Sequence, residues 1–462
     1  EGTAAAAYEE ALEAYQTVQN LFPDVPESAA AAFRAAGCLQ KLGEPRRAAT
    51  AFLDCCAVTS VTPTVRLQAK YRAARQWLAA GEPAYAVTHL RELQQWLQAG
   101  PVVDPELARE TSVSLAWACA EAAAQCGNGT AAGPPPKMVA SAAAANGTRP
   151  DASAWKTAAA KEFEHCLKAY PDTPEAGDWV TKIGKLYQDL GQPEKATAVL
   201  ESVLKNGTGA AVTPALLRLG LNHCEQGRTQ AAVRVFTKVL ENPGGLAAAE
   251  LDRIARRMLA AGEPALARQA GLTLLERAHN GQLPDPGPLC ESAWFHTGAG
   301  CLGLGQPEEA IRYLSTLLQR YPNNGWQNAA RLQLGQAWLA TTPPDPDAAI
   351  REFAAVLSQA SAPEQTNEAL CRIGESLVSR GAAGDVKRAL ARFQQVVMLA
   401  DPAVNGNRPW IECALYRAAA CTARLGDSSG CAELSRRYLE RYPDGRYAEQ
   451  TAKLASAEAP DP

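Results

Sequence analysis

The chain has 462 residues, is 47% hydrophobic and 20% charged, and carries a formal net charge of −4. That length exceeds one ordinary hydrophobic core, so several domains or a repeat array are expected. The near-neutral balance, with no basic stripe interleaved with aromatics, argues against nucleic acid as a partner, and no apolar run is long enough to span a bilayer.

From the N-terminus, residues 4–23 read as one helix closing at Leu21-Phe22-Pro23-Asp24, a half-repeat without its first helix. The start at Glu1, without an initiator Met or a signal peptide, suggests a mature form or a piece of a longer protein. Residues 1–126 continue as helical hairpins, with strings such as "LGEPRRA" placing a glycine at one helix end and a proline in the first turn of the next. Residues 127–152 ("GNGTAAGPPPKMVASAAAANGTRPDA") break the period and are expected to form a linker or long surface loop between two arrays. Residues 153–446 resume the helical period. Two turns there, "TTPPDP" and "RGAAGDVKRA", are each lengthened by about two residues. Tyr170-Pro171-Asp172, Tyr321-Pro322 and Tyr442-Pro443-Asp444 each end a helix, since proline lacks an N–H and moves the preceding residue out of the helical region. Residues 447–462 read as a polar capping helix and tail.

Aligning the segments on a turn glycine exposes the repeat. "WVTKIGKLYQDLGQPEKATAVLESVL" carries Gly184, Gly191, Ala196 and Leu200. "LLRLGLNHCEQGRTQAAVRVFTKVL" carries Gly220, Gly227, Ala232 and Phe236, and "WFHTGAGCLGLGQPEEAIRYLSTLL" carries Gly298, Gly305, Ala310 and Leu314. Gly191, Gly227 and Gly262 are spaced by 36 and 35 residues, a solenoid period. Small residues at the Gly298 and Ala310 positions belong where two antiparallel helices cross. With Trp294, Gly298, Ala310 and Pro322 on its consensus, the chain resembles the tetratricopeptide repeat family over most of its length. The Tyr-Pro-Asp/Asn endings are similar to the subgroup found in bacterial cell-envelope assembly proteins. The resemblance implies an all-α, right-handed α-solenoid of stacked antiparallel helix pairs.

In such a solenoid the first helix of each hairpin lines the concave face. Counting from the aligned glycines places Phe33, Tyr71, Leu217, Leu221, Phe295, Leu332, Gln336 and Tyr416 there, a largely apolar row suited to a helix or extended peptide. A tightly wound array would instead bury part of that row against itself. Arg75, Lys185 and Arg256 are too dispersed to clamp a carboxylate.

The thirteen cysteines show no C-x-x-C spacing. Neighbouring residues on a helix point about 100° apart, so His165-Cys166 and His223-Cys224 are poorly placed to chelate one ion, and no metal or cofactor is expected. Cys421 and Cys431 fall on the two helices of one hairpin, where a disulfide is open to them but not fixed by sequence. Asn128, Asn146 and Asn206 each begin an Asn-Gly-Thr string, which reads either as a glycosylation acceptor or as a tight turn. No nucleophile elbow, phosphate loop, dinucleotide fingerprint or zinc-protease motif occurs, so no catalytic residue is assigned. The expected function is a non-enzymatic scaffold for a protein partner or for other copies of itself, in the bacterial periplasm or at the cell surface, with the cytoplasm left open. A self-assembling filament or surface-layer subunit and an accessory subunit of an enzyme complex are the alternatives.

Overall fold

The computed structural model describes residues 2–23, 25–58, 61–99, 104–128, 151–206, 211–284, 287–359 and 362–456. Among them every regular element is helical, with 22 α-helices and two short 3₁₀ turns. Contacts divide the chain into two units, Glu1–Val235 and Phe236–Pro462.

The first unit holds α1 (Gly2–Leu21), α2 (Pro26–Lys41), α3 (Pro45–Ala57), α4 (Pro63–Ala79), α5 (Pro83–Ala99), α6 (Pro105–Gly127), α7 (Ala152–Ala169), α8 (Ala176–Asp189), α9 (Pro193–Asn206) and α10 (Val212–Glu225). The boundary falls within α11 (Thr229–Glu241). The second unit then runs through α12 (Ala248–Ala260), α13 (Pro264–His279), α14 (Pro288–Gly303), α15 (Pro307–Arg320), α16 (Gln327–Ala340), α17 (Pro346–Leu357), α18 (Pro363–Arg380), α19 (Asp385–Leu399), α20 (Arg408–Arg424), α21 (Ser428–Arg441) and α22 (Ala448–Ser456).

Within each unit a helix packs on its sequence neighbours, and the first helices of successive hairpins also meet. In unit 1 these are α4 with α6 and α8 with α10. In unit 2 they are α12 with α14, α14 with α16, α16 with α18, α18 with α20, and α20 with the closing helix α22. Contacts that reach only the next hairpin are the mark of a solenoid, in which no hairpin buries its apolar face alone.

The turns follow from their residues. After α14, Gly305 has φ +71°, its N–H bonds Leu302, and the Gln306 N–H reaches back 2.9 Å to the Cys301 carbonyl. This left-handed close satisfies two carbonyls that the helix end leaves open, and Pro307 then starts α15 where a missing N–H costs nothing. The Tyr-Pro turn works differently. The Tyr321 ring is buried in the core, and its carbonyl accepts from both the backbone and the side chain of Asn324 at 3.1 and 2.6 Å. Asn324 Oδ1 in turn accepts from Trp326 at 2.8 Å, one residue before α16. The helix stops because its last aromatic is wedged inward while the turn is tied off behind it.

The two lengthened turns have their own fastenings. In "TTPPDP" the Asp345 N–H bonds the Trp338 carbonyl at 2.9 Å, and the Asp345 carboxylate caps α17 at Ala348. In "RGAAGD" the buried Asp385 takes two hydrogen bonds from Arg380, at 2.6 and 2.8 Å, and one from the Ala382 N–H at 3.0 Å. Arg380 also reaches Asp347 on α17 at 2.7 Å.

The segment expected to divide two arrays lies almost wholly outside the described residues, and the helices that flank it belong to one core. Helices α6 and α7, on either side of it, are packing partners. Trp117 meets Phe163 edge-on at 5.3 Å, and one hydrophobic cluster continues through both helices, from Ala74 to Leu219. The core stays whole because helix faces, rather than the connecting chain, carry the packing. The closing helix α22 covers the exposed flank of α20 and α21, with Tyr447 stacked on Tyr416 at 4.7 Å.

Candidate interaction surface

The eight residues assigned to the concave row share one local setting. Leu217, Leu221, Phe295 and Leu332 are buried, while Phe33, Tyr71, Gln336 and Tyr416 are half-buried. Each lies three residues before, or one after, the small residue at its hairpin crossing. For Phe33, Tyr71, Phe295, Leu332, Gln336 and Tyr416 that offset turns the side chain towards the next hairpin. Thus Arg72 of α4 lies over Phe33 at 4.8 Å, and the Tyr71 hydroxyl is 3.3 Å from Ser114 of α6. Phe295 stacks on Trp326 at 4.4 Å, Gln336 donates to Glu368 of α18 at 3.3 Å, and Tyr416 stacks on Tyr447. These six residues join one repeat to the next, and only the half-buried members of the row reach the surface.

What the first helices present to solvent is more polar. In unit 1, Trp117 is 39% exposed and lies beneath the Lys182 ammonium, 4.8 Å from the ring centre. Tyr71 receives a hydrogen bond from Arg75 at 3.3 Å and borders a shallow recess of about 250 Å³ between α4 and α6, edged also by Gln68, Arg72, Glu106 and Glu110. In unit 2, arginines of the first helices α12, α18 and α20 lie over aromatic rings at the entry to α16 and on α20: Arg256 over Trp326 at 5.2 Å, Arg372 over Trp410 at 5.6 Å, and Arg417 over Tyr416 at 5.6 Å.

One polar bond between neighbouring first helices and one within α18 converge on Glu375. Arg417 donates to Glu375 at 3.1 Å, and Arg372 donates to the same carboxylate at 3.2 Å. Burial raises the Glu368 carboxyl above the ordinary range, with Arg372 opposing the rise. Guanidinium stacked on an aromatic plane keeps its edge donors free to bond outward.

One cluster brings Ser, His and Asp together. Ser292 Oγ donates to Asp252 Oδ1, Arg256 pairs with the same aspartate at 2.8 Å, and His296 Nδ1 stands 3.0 Å from Ser292 Oγ and 2.7 Å from the Ser292 carbonyl. A hydrolytic relay needs the imidazole between carboxylate and hydroxyl, with a bare nitrogen on the hydroxyl. Here the hydroxyl is in the middle, and a nitrogen this close to a carbonyl carries its proton. Ser292 and His296 are 0% and 2% exposed, and burial draws the histidine below its ordinary value. The cluster fastens α12 to α14; it has neither the order nor the access for hydrolysis.

The cysteines are buried or half-buried, with none exposed. Burial pushes Cys119 and Cys166 up to about 12 and Cys55 up to about 11, which leaves little thiolate at neutral pH. Cys421 and Cys431 are both buried, as thiols, in the α20–α21 hairpin. Among the described residues no three His, Cys, Asp or Glu side chains converge as metal ligands, and no helix is long and apolar enough to cross a membrane. Asn128 is exposed at the end of α6, Asn206 is the last residue of α9, and Asn146 lies outside the described residues.

Reading from the sequence singled out Tyr416 but missed Arg417 beside it, and missed Trp117, Trp326, Arg372 and Trp410. The available signal was an arginine or lysine near an aromatic on a first helix or at its entry. Counting only apolar positions passes over it.

The family model described as Tetratricopeptide repeat matches residues 214–244 and 293–324. The first match runs from α10 into α11 and the second is the α14–α15 hairpin, two of the segments aligned above, so the resemblance read from the aligned glycines is borne out there. Among solved structures the chain is similar to a tetratricopeptide repeat protein from Parabacteroides merdae, at 13% identity over 60% of this chain and 98% of that one, with a TM-score of 0.34. It is also similar to yeast Tom70, at 12% identity over 98% and 92% of the two chains, with a TM-score of 0.37. A chain of the APC/C hetero-tetramer Cut9-Hcn1 matches at 12% identity over 97% and 93%, also with a TM-score of 0.37. No curated protein matches the sequence significantly.

Proposed function

We propose that this chain is a non-enzymatic scaffold that holds a protein partner on the first-helix surfaces of its repeats, in the assembly of a bacterial cell envelope. The family model supports the scaffold class, because tetratricopeptide repeats bind protein partners. The observation that carries the reading is the set of partly exposed arginines over aromatic rings in unit 2, at Arg256, Arg372 and Arg417. Arginine, tryptophan and tyrosine are the side chains that most often dominate protein–protein affinity, and here they are positioned before any partner arrives. The envelope assignment is supported by the Tyr-Pro-Asp endings at Tyr170 and Tyr442.

The test uses the whole chain, immobilised, beside a variant carrying Arg256→Ala and Arg417→Ala whose helical circular dichroism matches the wild type. A protein from an envelope extract that the wild type retains and the variant releases supports the reading. An identical retained set for both, or enrichment only from the soluble fraction, overturns the surface or the location respectively. Particle mass that climbs with concentration would favour a self-assembling subunit instead.

A further inference from the structure

Two cysteines meet where α18 and α20 lie side by side. Cys371 is fully buried and Cys413 is 6% exposed. Cys371 Sγ is 3.5 Å from the carbonyl oxygen of Trp410, one turn before Cys413. Cys413 Sγ is 3.9 Å from Glu375 Oε1, one turn after Cys371. This reciprocal placement sets the two residues level on neighbouring helices, each thiol within electrostatic reach of the other.

The pair is chemically unequal. Cys371 is raised well above its ordinary value, by the neighbouring Cys413 thiol and by burial. Cys413 is drawn down by the neighbouring Cys371 thiol, with Arg417 and Tyr447 helping against burial and the Glu375 charge. Burial pushes Cys38, Cys55, Cys119, Cys166, Cys301 and Cys421 the other way. Two thiols level on neighbouring helices, the less buried of them Cys413, are placed to close to a disulfide once one of them is oxidised.

We propose that Cys371 and Cys413 are an oxidation site, closing to an intramolecular disulfide between neighbouring repeats when the protein meets a peroxide. The Cys413 thiolate attacks one oxygen of hydrogen peroxide, the O–O bond breaks, and the departing hydroxide takes up the thiol proton and leaves as water. Cys413 is then a sulfenic acid. The Cys371 sulfur attacks it, the S–O bond breaks, and that oxygen leaves as a second water with the Cys371 proton. Two thiols lose two electrons, one peroxide gains them, and one disulfide and two waters result. The bond ties α18 to α20 directly beside Tyr416 and Arg417, so the oxidation state sets how freely two repeats shift behind that surface. The site stands whether or not that surface binds a partner.

The experiment treats the reduced, full-length protein with hydrogen peroxide, blocks remaining thiols, digests without reductant and maps the peptides by mass spectrometry. The expected product joins the Cys371 and Cys413 peptides. Treated protein should unfold about 5–10 °C above the reduced form, because the bond closes a long loop. In Cys371→Ser, Cys413 should instead stop as a sulfenic acid that dimedone captures. Recovery of both cysteines unlinked from folded, treated wild type overturns the proposal, as does preferential linkage of Cys421 to Cys431. The wild-type map alone decides if the variant does not fold.

Discussion

The two units use the same small position at the helix crossing, but on different terms. In unit 2 three successive hairpins place a glycine directly beneath a large side chain. A methyl added at Gly298 would lie 2.7 Å from Leu314, one at Gly335 would lie 2.5 Å from the Phe353 ring, and one at Gly374 would lie 2.5 Å from the Phe393 ring. In unit 1 the equivalent residues Ala36 and Ala74 already carry that methyl, packed in the same clusters as Phe52 and Leu90 respectively. Even the aligned Gly184 has room, since its nearest neighbour is Arg218 at 3.5 Å. A consensus glycine is therefore a requirement where a ring lies on the backbone, and a habit where it does not.

The sharpest way to break the comparison is to remove a ring. Phe393 is 0% exposed, and Phe393→Ala should cost unit 2 about 3–5 kcal/mol through lost burial and the cavity left behind. Urea unfolding followed by circular dichroism reads this as a lower midpoint. Unfolding unchanged within error would show that the ring does not hold the hairpin.

Adding a methyl tests the same contact from the other side. Gly374→Ala and Gly335→Ala should each destabilise by about 1–3 kcal/mol, because a buried ring cannot move aside without disturbing its neighbours. Pairing Gly374→Ala with Phe393→Leu should recover part of the loss. A double variant no better than the sum of the singles would remove steric conflict as the cause.

The units also differ in how turns are held, which acid should reveal with a smaller effect. Arg380 keeps the Asp385 carboxyl below its ordinary range, with the Ala382 N–H and Arg388 assisting against burial. A carboxyl whose folded value is depressed stabilises fully above its unfolded value, about 3.9, and loses that contribution as pH falls through the folded value. Amide exchange at residues 381–385 should therefore accelerate below about pH 4, while the glycine-closed turn at Gly43 stays protected. Asp385→Asn should remove that acid step. Equal acceleration at both turns would refute the distinction.

The smallest effect has the opposite sign. Gly184→Ala should stabilise unit 1 by about 0.5–1 kcal/mol, by removing backbone freedom from the unfolded chain at a helical position with space for the methyl. A loss of stability there would make the two units alike after all.

Much of this architecture was legible because glycine, proline and their spacing act locally. A turn glycine seven residues after a small crossing residue fixes a hairpin wherever it occurs, and Gly298–Gly305 reads correctly without coordinates. The Tyr-Pro stop is equally local. Which crossing glycine is indispensable was not legible, since that depends on how a large side chain some 16–19 residues away comes to lie, as at Gly335 and Phe353. The surface was harder still. A count of apolar positions found the row that joins repeats, while the exposed features rest on pairs such as Arg256–Trp326 and Arg372–Trp410, each set by distant parts of the chain. The Asp252–Ser292 bond spans 40 residues and has no local signature.

The hairpin of α6 and α7 has one further consequence. Its helices find each other across residues 128–151, where the neighbouring hairpins need only a few residues to turn. Lengthening a closed loop several-fold costs only about 1–2 kcal/mol in chain entropy, and the Trp117–Phe163 contact is indifferent to how its ends are tethered. The packing of α6 on α7 should thus tolerate an epitope, a reporter or a small folded module added to the chain between them, while the two helices keep their register.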